Sequence, residues 1–135
     1  MSIYHMPCAS SGLSSLNLLD LTGNLFEKFP RHLPPSISQL YLSNNSMVGV
    51  EGDVLQGFPS LRYLRLGRNR LRDGGVDPAA FNLSSLVELD LSYNQLTQIP
   101  VVPTTLQYLY LEANQISGKG LALHGLQNTA PPTEI

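Results

Sequence analysis

Acid–base or covalent chemistry in this 135-residue chain would have to come from three histidines (His5, His32, His124), one cysteine (Cys8) and the carboxylates Glu88 and Asp90. The histidines are widely separated, and no H-E-x-x-H, G-x-S-x-G or P-loop motif accompanies them. Cys8 has no second thiol with which to form a disulfide or hold a metal. Glu88 and Asp90 would share one face of a strand, yet a glycosidase pair needs a pocket that desolvates one of its acids, and an open sheet offers little such burial. The expectation is a non-enzyme with no catalytic residue, no metal site and no cofactor.

Recognition chemistry is better supplied. Five of the six tyrosines (Tyr41, Tyr63, Tyr93, Tyr108, Tyr110) fall at related positions, interleaved with Asp20, Arg65, Glu88 and Asp90. Tyrosine brings large contact area, a hydroxyl and little entropy loss, which suits a protein-binding surface, although aromatic residues also favour exposed strand positions for packing alone. Arg65 and Asp90 are expected to be cross-strand neighbours, either paired with each other as an exposed salt bridge or offering alternating charges to a rod-shaped ligand. Arg62, Arg65, Arg68, Arg70 and Arg72 concentrate basic charge within eleven positions, which is compatible with a sulfated glycosaminoglycan, but alternate positions diverge around a turn and Asp73 and Asp77 offset them. Two N-x-Ser sequons occur, at Asn82 and Asn44. Asn82 would project from a return segment into solvent and is the favoured N-glycosylation site; Asn44 would crowd the rim of the binding face and is the weaker one.

The elements that must position these residues follow from a repeat. The template LxxLxLxxNxL fits five times, starting at Leu16, Ile37, Leu61, Leu86 and Leu106, at intervals of 20 to 25 residues. Each unit keeps apolar residues at its inward positions and an asparagine at the same place: Asn24, Asn45, Asn69, Asn94 and Asn114. With asparagine at roughly one residue in twenty, five in register would arise by chance about three times in ten million, so the repeat is not an accident. Each L-x-L reads as a short strand with leucines inward, stacked in parallel on the next unit, and the asparagine amide would satisfy backbone groups at the turn that follows. The fold class is a leucine-rich-repeat solenoid with short parallel β-strands on its concave face. Prolines 30, 34, 35, 100 and 103 predict irregular, polyproline-like returns in the shorter units, and little helix. Phe29, Val50, Val76 and Ile99 should form the second apolar wall, with Phe58 and Phe81 filling the wider units.

A chain of this length carries one domain of modest core. The repeats occupy 13–116, between an irregular segment 1–12 and a non-repeat tail 117–135. The formal charge of −2 gives no bulk field to gather nucleic acid or an anionic membrane, and no apolar run is long enough to cross a bilayer.

The stretches FNLSSLVELDLSYNQLTQIP (81–100), LQYLYLEANQI (106–116), LPPSISQLYLSNN (33–45) and FPSLRYLRLGRNRLRDGGV (58–76), with the short-long-long order of unit lengths, resemble the small leucine-rich repeat proteoglycans, in the group that contains lumican, fibromodulin and keratocan. The resemblance covers about residues 13–116. It implies an extracellular-matrix location, collagen binding through the concave face, and N-linked sugar at Asn82, which aligns with a family position that bears keratan sulfate in several members. Where some relatives carry an acidic residue after LYL, this chain has Ser43, a departure at one contact the resemblance would imply. Family members also begin with a secretory signal and a four-cysteine cap and end with a disulfide-bonded cap; neither pattern occurs here, and the sequence after Ser117-Gly118-Lys119 is expected to run past an exon boundary.

Three functional classes emerge. The first is a matrix module that binds fibrillar collagen and regulates fibril assembly. The second is the recognition module of a receptor or adhesion protein. The third is a shortened product without independent function, prone to self-association through Leu18 at one end of the sheet and the strand edge beyond Tyr110 at the other.

Overall fold

A computed structural model describes residues 15–116; the expected N-terminal segment and the tail beyond Ile116 lie outside the described residues. Five three-residue strands, β1 (Leu18–Asp20), β2 (Gln39–Tyr41), β3 (Tyr63–Arg65), β4 (Glu88–Asp90) and β5 (Tyr108–Tyr110), form one parallel sheet in sequence order. Their central leucines align as one row: Leu19, Leu40, Leu64, Leu89 and Leu109 are successive cross-strand partners. The row points inward, and its middle three members are completely buried. A second leucine row, Leu42, Leu66 and Leu91, is buried just beyond it. Each such side chain contributes about 1.5–3 kcal/mol by leaving water, and that burial holds strands this short in register.

Pairing continues past each strand into the turn. Leu42 N–H donates to the Arg65 carbonyl and Asn44 N–H to that of Gly67, each at 2.8 Å, and units 3 and 4 repeat the pattern with Leu66 to Asp90 and Arg68 to Ser92. At every turn the residue just before the ladder asparagine is left-handed: Gly23, Asn44, Arg68, Tyr93 and Ala113 have φ between +56° and +78°. Glycine and asparagine take that conformation readily. Arginine, tyrosine and alanine occupy it at a cost of about 1 kcal/mol or more each.

The left-handed turn aims the next side chain back under the sheet, where the asparagines form a ladder. Asn69 Nδ2 donates to the carbonyls of Leu66 in its own unit and Leu42 in the preceding one, both at 3.0 Å, while its Oδ1 accepts from Met47 N–H at 2.9 Å. Asn94 repeats this with Leu91, Leu66 and Leu71, and Asn45 with Leu42, Leu21 and Phe26. The Leu42 and Leu66 carbonyls therefore each accept from two amides, and no buried side-chain polar atom among the described residues lacks a partner. Asn45, Asn69 and Asn94 are buried. Asn114 makes the same set of bonds but is half-buried, and Asn24 donates to Leu21 alone among the described residues.

The return segments close the core from the other side. Phe29, Val50, Phe58, Val76, Phe81 and Ile99 are buried against the leucine rows. The longer units return through consecutive turns, with Phe58 N–H to the Leu55 carbonyl and Ala80 N–H to that of Asp77, whereas Ile99–Pro103 is irregular chain. A single turn of 3₁₀ helix, Asp73–Gly75, is the one helical element among the described residues. Beside it Gly49 and Gly75 bring two return segments into backbone contact, and a Cβ on Gly49 would lie 2.1 Å from the Gly75 oxygen. A side chain at that crossing would push units 2 and 3 apart.

Candidate functional site

Strand alternation leaves two columns of side chains facing out of the sheet. The first is Leu18, Gln39, Tyr63, Glu88 and Tyr108; the second is Asp20, Tyr41, Arg65, Asp90 and Tyr110. All but Leu18, Asp20 and Arg65, which are exposed, are half-buried by their neighbours. Tyr93 stands at the left-handed position of unit 4, at the rim of the same face, and is 42% exposed. The fold thus gathers Asp20, Tyr41, Tyr63, Arg65, Glu88, Asp90, Tyr93, Tyr108 and Tyr110 onto one surface.

Within it the charges are arranged differently from the expected Arg65–Asp90 pair. The two residues are register partners, but Arg65 Nε donates to Glu88 at 3.2 Å, diagonally across the strands. Asp90 is turned away because its short carboxylate accepts from the backbone N–H and the hydroxyl of Ser92, at 2.9 and 2.6 Å. That closes an Asx turn at the strand end. Asp20 makes the equivalent turn with Thr22 N–H at 3.0 Å. The Thr22 hydroxyl and N–H, reinforced by the positive charge of Arg65, hold the Asp20 carboxyl below its ordinary value.

Three arginines lie over tyrosine rings: Arg65 over Tyr41 at 4.5 Å, Arg68 over Tyr93 at 4.0 Å, and Arg62 over Tyr63 at 5.7 Å to the ring centroid. Stacking of this kind fixes the guanidinium plane and leaves its N–H edge available for an acceptor. Tyr41 also donates its hydroxyl to Gln39 at 2.8 Å. Glycine at Gly67 leaves space in front of Asp90 and Ser92, and there the face dips into an open depression of about 410 Å³ bordered by Arg65, Arg68, Asp90, Tyr93, Tyr110 and Glu112. Its rim mixes both signs of charge.

Arg68, expected from sequence beside Arg65 on this face and within the basic run, borders the depression. The left-handed turn puts it there: the residue before each ladder asparagine sits at the rim, and in unit 3 that residue is an arginine. Arg70 and Arg72 do not border the depression, so the basic run is divided by the turn as expected. Asn82 is exposed on the return of unit 3, between buried Phe81 and half-buried Leu83. Asn44 is exposed at the left-handed rim position of unit 2, with its N–H bonded to Gly67. Among the described residues no three His, Cys, Asp or Glu side chains converge as a metal site, and no helix is long and apolar enough to cross a membrane.

Comparison with known proteins agrees with this geometry. Leucine-rich repeat models match residues 28–71, 85–103 and 102–123. Chicken (Gallus gallus) lumican is 47% identical over 109 residues, covering 81% of this chain and 32% of lumican. Bovine (Bos taurus) fibromodulin is 46% identical over 115 residues, covering 85% of this chain and 31% of fibromodulin. Human (Homo sapiens) lumican is 47% identical over 108 residues. The chain therefore spans about a third of the length of these relatives. Among solved structures, a chain of the octameric complex of Latrophilin 3, Unc5D and FLRT2 superposes with a TM-score of 0.73 at 26% identity, over 84% of this chain and 43% of that one. A chain of the LRIM1/APL1C complex superposes with a TM-score of 0.71 at 31% identity, over 86% of this chain and 22% of that one. These matches describe a recognition scaffold and not an enzyme: the chain is built of leucine-rich repeats and, over four-fifths of its length, is similar to the small leucine-rich repeat proteoglycans lumican and fibromodulin.

Proposed function

We propose that this chain is an extracellular-matrix module that binds fibrillar collagen on its concave face and limits the lateral growth of fibrils. The observation that carries the reading is the row of five tyrosines and stacked arginines on one exposed parallel sheet. Tyrosine and arginine are the residues that concentrate binding energy at protein interfaces, and a concave sheet offers a long shallow cradle to a rod-shaped ligand. Likeness to lumican and fibromodulin supports the choice of collagen and of the matrix. The rim carries Asp90 and Glu112 beside Arg65 and Arg68, which favours a rod of alternating charge over a uniformly anionic glycosaminoglycan. A glycan on exposed Asn82, rooted in a return segment and not in the sheet, would leave the cradle open and hold neighbouring fibrils apart.

Co-sedimentation with reconstituted type I collagen fibrils tests the reading. The parent chain should pellet with the fibrils, and a Tyr63→Ser/Tyr108→Ser variant with an unchanged circular dichroism spectrum should bind roughly tenfold more weakly or worse, the effect of losing an interface anchor. Equal binding by parent and variant would remove the concave face from the mechanism.

A further inference from the structure

The depression between units 3 and 5 presents one cation and one anion that the fold itself does not use. Among the described residues, the Arg68 guanidinium has no hydrogen-bond or ion-pair partner; its contact is the Tyr93 ring beneath it at 4.0 Å. The Glu112 carboxylate also has no partner among the described residues, although its backbone carbonyl accepts from Tyr93 N–H. The other charges at this rim are engaged, Arg65 with Glu88 and Asp90 with Ser92. Arg68 is held in place at a cost, since its backbone is left-handed at φ 56° and so is that of Tyr93 at φ 57°. That conformation recurs at the same position of all five units, so the repeat itself holds Arg68 and Tyr93 at the rim.

Spacing gives the pair a meaning. Arg68 and Glu112 flank unit 4 from either side, two strand intervals apart, and parallel strands lie about 4.8 Å from one another, which puts the two positions roughly 10 Å apart. A polyproline-type strand rises about 3.1 Å per residue with three residues per turn, so its residues i and i+3 project on the same side about 9 Å apart. We propose that Arg68 and Glu112 are the two poles of a charge-selective subsite, which takes an acidic and a basic side chain one triplet apart on a polyproline-type strand of a collagen triple helix. The acid sits on the free edge of the Arg68 guanidinium and the base on Glu112, with the ring of Tyr93 as the floor between them. This inference rests on the collagen reading and adds to it the sequence spacing that the site selects.

Synthetic triple-helical peptides test it, one set with Glu and Lys three residues apart, one with the same residues six apart, and one with both replaced by Gln. The full chain should bind the three-residue spacing at least tenfold more tightly than the other two. Arg68→Glu and Glu112→Arg should each abolish that preference, and the Arg68→Glu/Glu112→Arg double variant should restore it, because the strand can lie in the opposite direction. Rescue by the double variant is a result that misfolding cannot imitate. Single reversals that keep the parent preference, or a double variant as weak as the worse single, would overturn the subsite; type I fibril co-sedimentation retained in the same samples would confine that failure to the subsite. A parent chain that binds neither peptide nor fibril would overturn both the subsite and the collagen reading.

Discussion

The ladder asparagines Asn45, Asn69 and Asn94 are structural side chains buried beneath the face proposed to bind. Replacing Asn69 by alanine leaves the buried Met47 N–H without an acceptor and opens a void, while the Leu42 and Leu66 carbonyls keep their second amides from Asn45 and Asn94. The expected loss is about 2–4 kcal/mol, the cost of an unpaired buried donor plus a small cavity, read from urea unfolding. The left-handed positions run the other way. Ala113→Gly should stabilise the chain by about 0.5–1 kcal/mol by relieving φ +58°, whereas Tyr93→Gly gains the same relief but loses the Arg68 stack and weakens binding. Asp20 sets a pH signature. Its carboxyl is depressed in the folded state, so its contribution is fully present above the ordinary value of 3.8 and disappears as pH falls from there through the lower folded value. Thermal melts of parent and Asp20→Asn should therefore differ most above pH 5 and converge in strong acid; a gap that widens in acid would reverse the assignment.

Among the elements, the strands and their facing columns were legible from the repeat alone because inward leucines and ladder asparagines impose one register on all five units. The row Leu19–Leu40–Leu64–Leu89–Leu109 follows directly from the template. Side-chain pairing was less legible: Arg65 and Asp90 are neighbours by register, but the competition won by the Asx turn at Ser92 depends on local backbone geometry that spacing does not encode. The stacking of Arg68 on Tyr93 was hidden for the same reason, since it requires knowing that both residues are left-handed. The glycine crossing of the return segments is another contact between units. Gly49→Ala should destabilise by at least about 2 kcal/mol, because the backbone oxygen it meets cannot move without shifting a whole unit. Gly74→Ala, with nothing within 4 Å of the added carbon, should stay within about 0.5 kcal/mol of the parent.

At the scale of the whole molecule, stability and recognition are assigned to opposite sides of the same turn of chain. Leucines and ladder asparagines face in and hold the units in register; tyrosines, arginines and carboxylates face out, on the surface proposed to bind. Hydroxyl-radical footprinting of the chain, free and bound to collagen fibrils, is the most direct test of that division. Protection is expected at Tyr41, Tyr63, Tyr93, Tyr108 and Tyr110, with unchanged oxidation at His32 and Val101, which are exposed on return segments. Protection confined to His32 and Val101, with the five tyrosines as reactive as in the free chain, would contradict it.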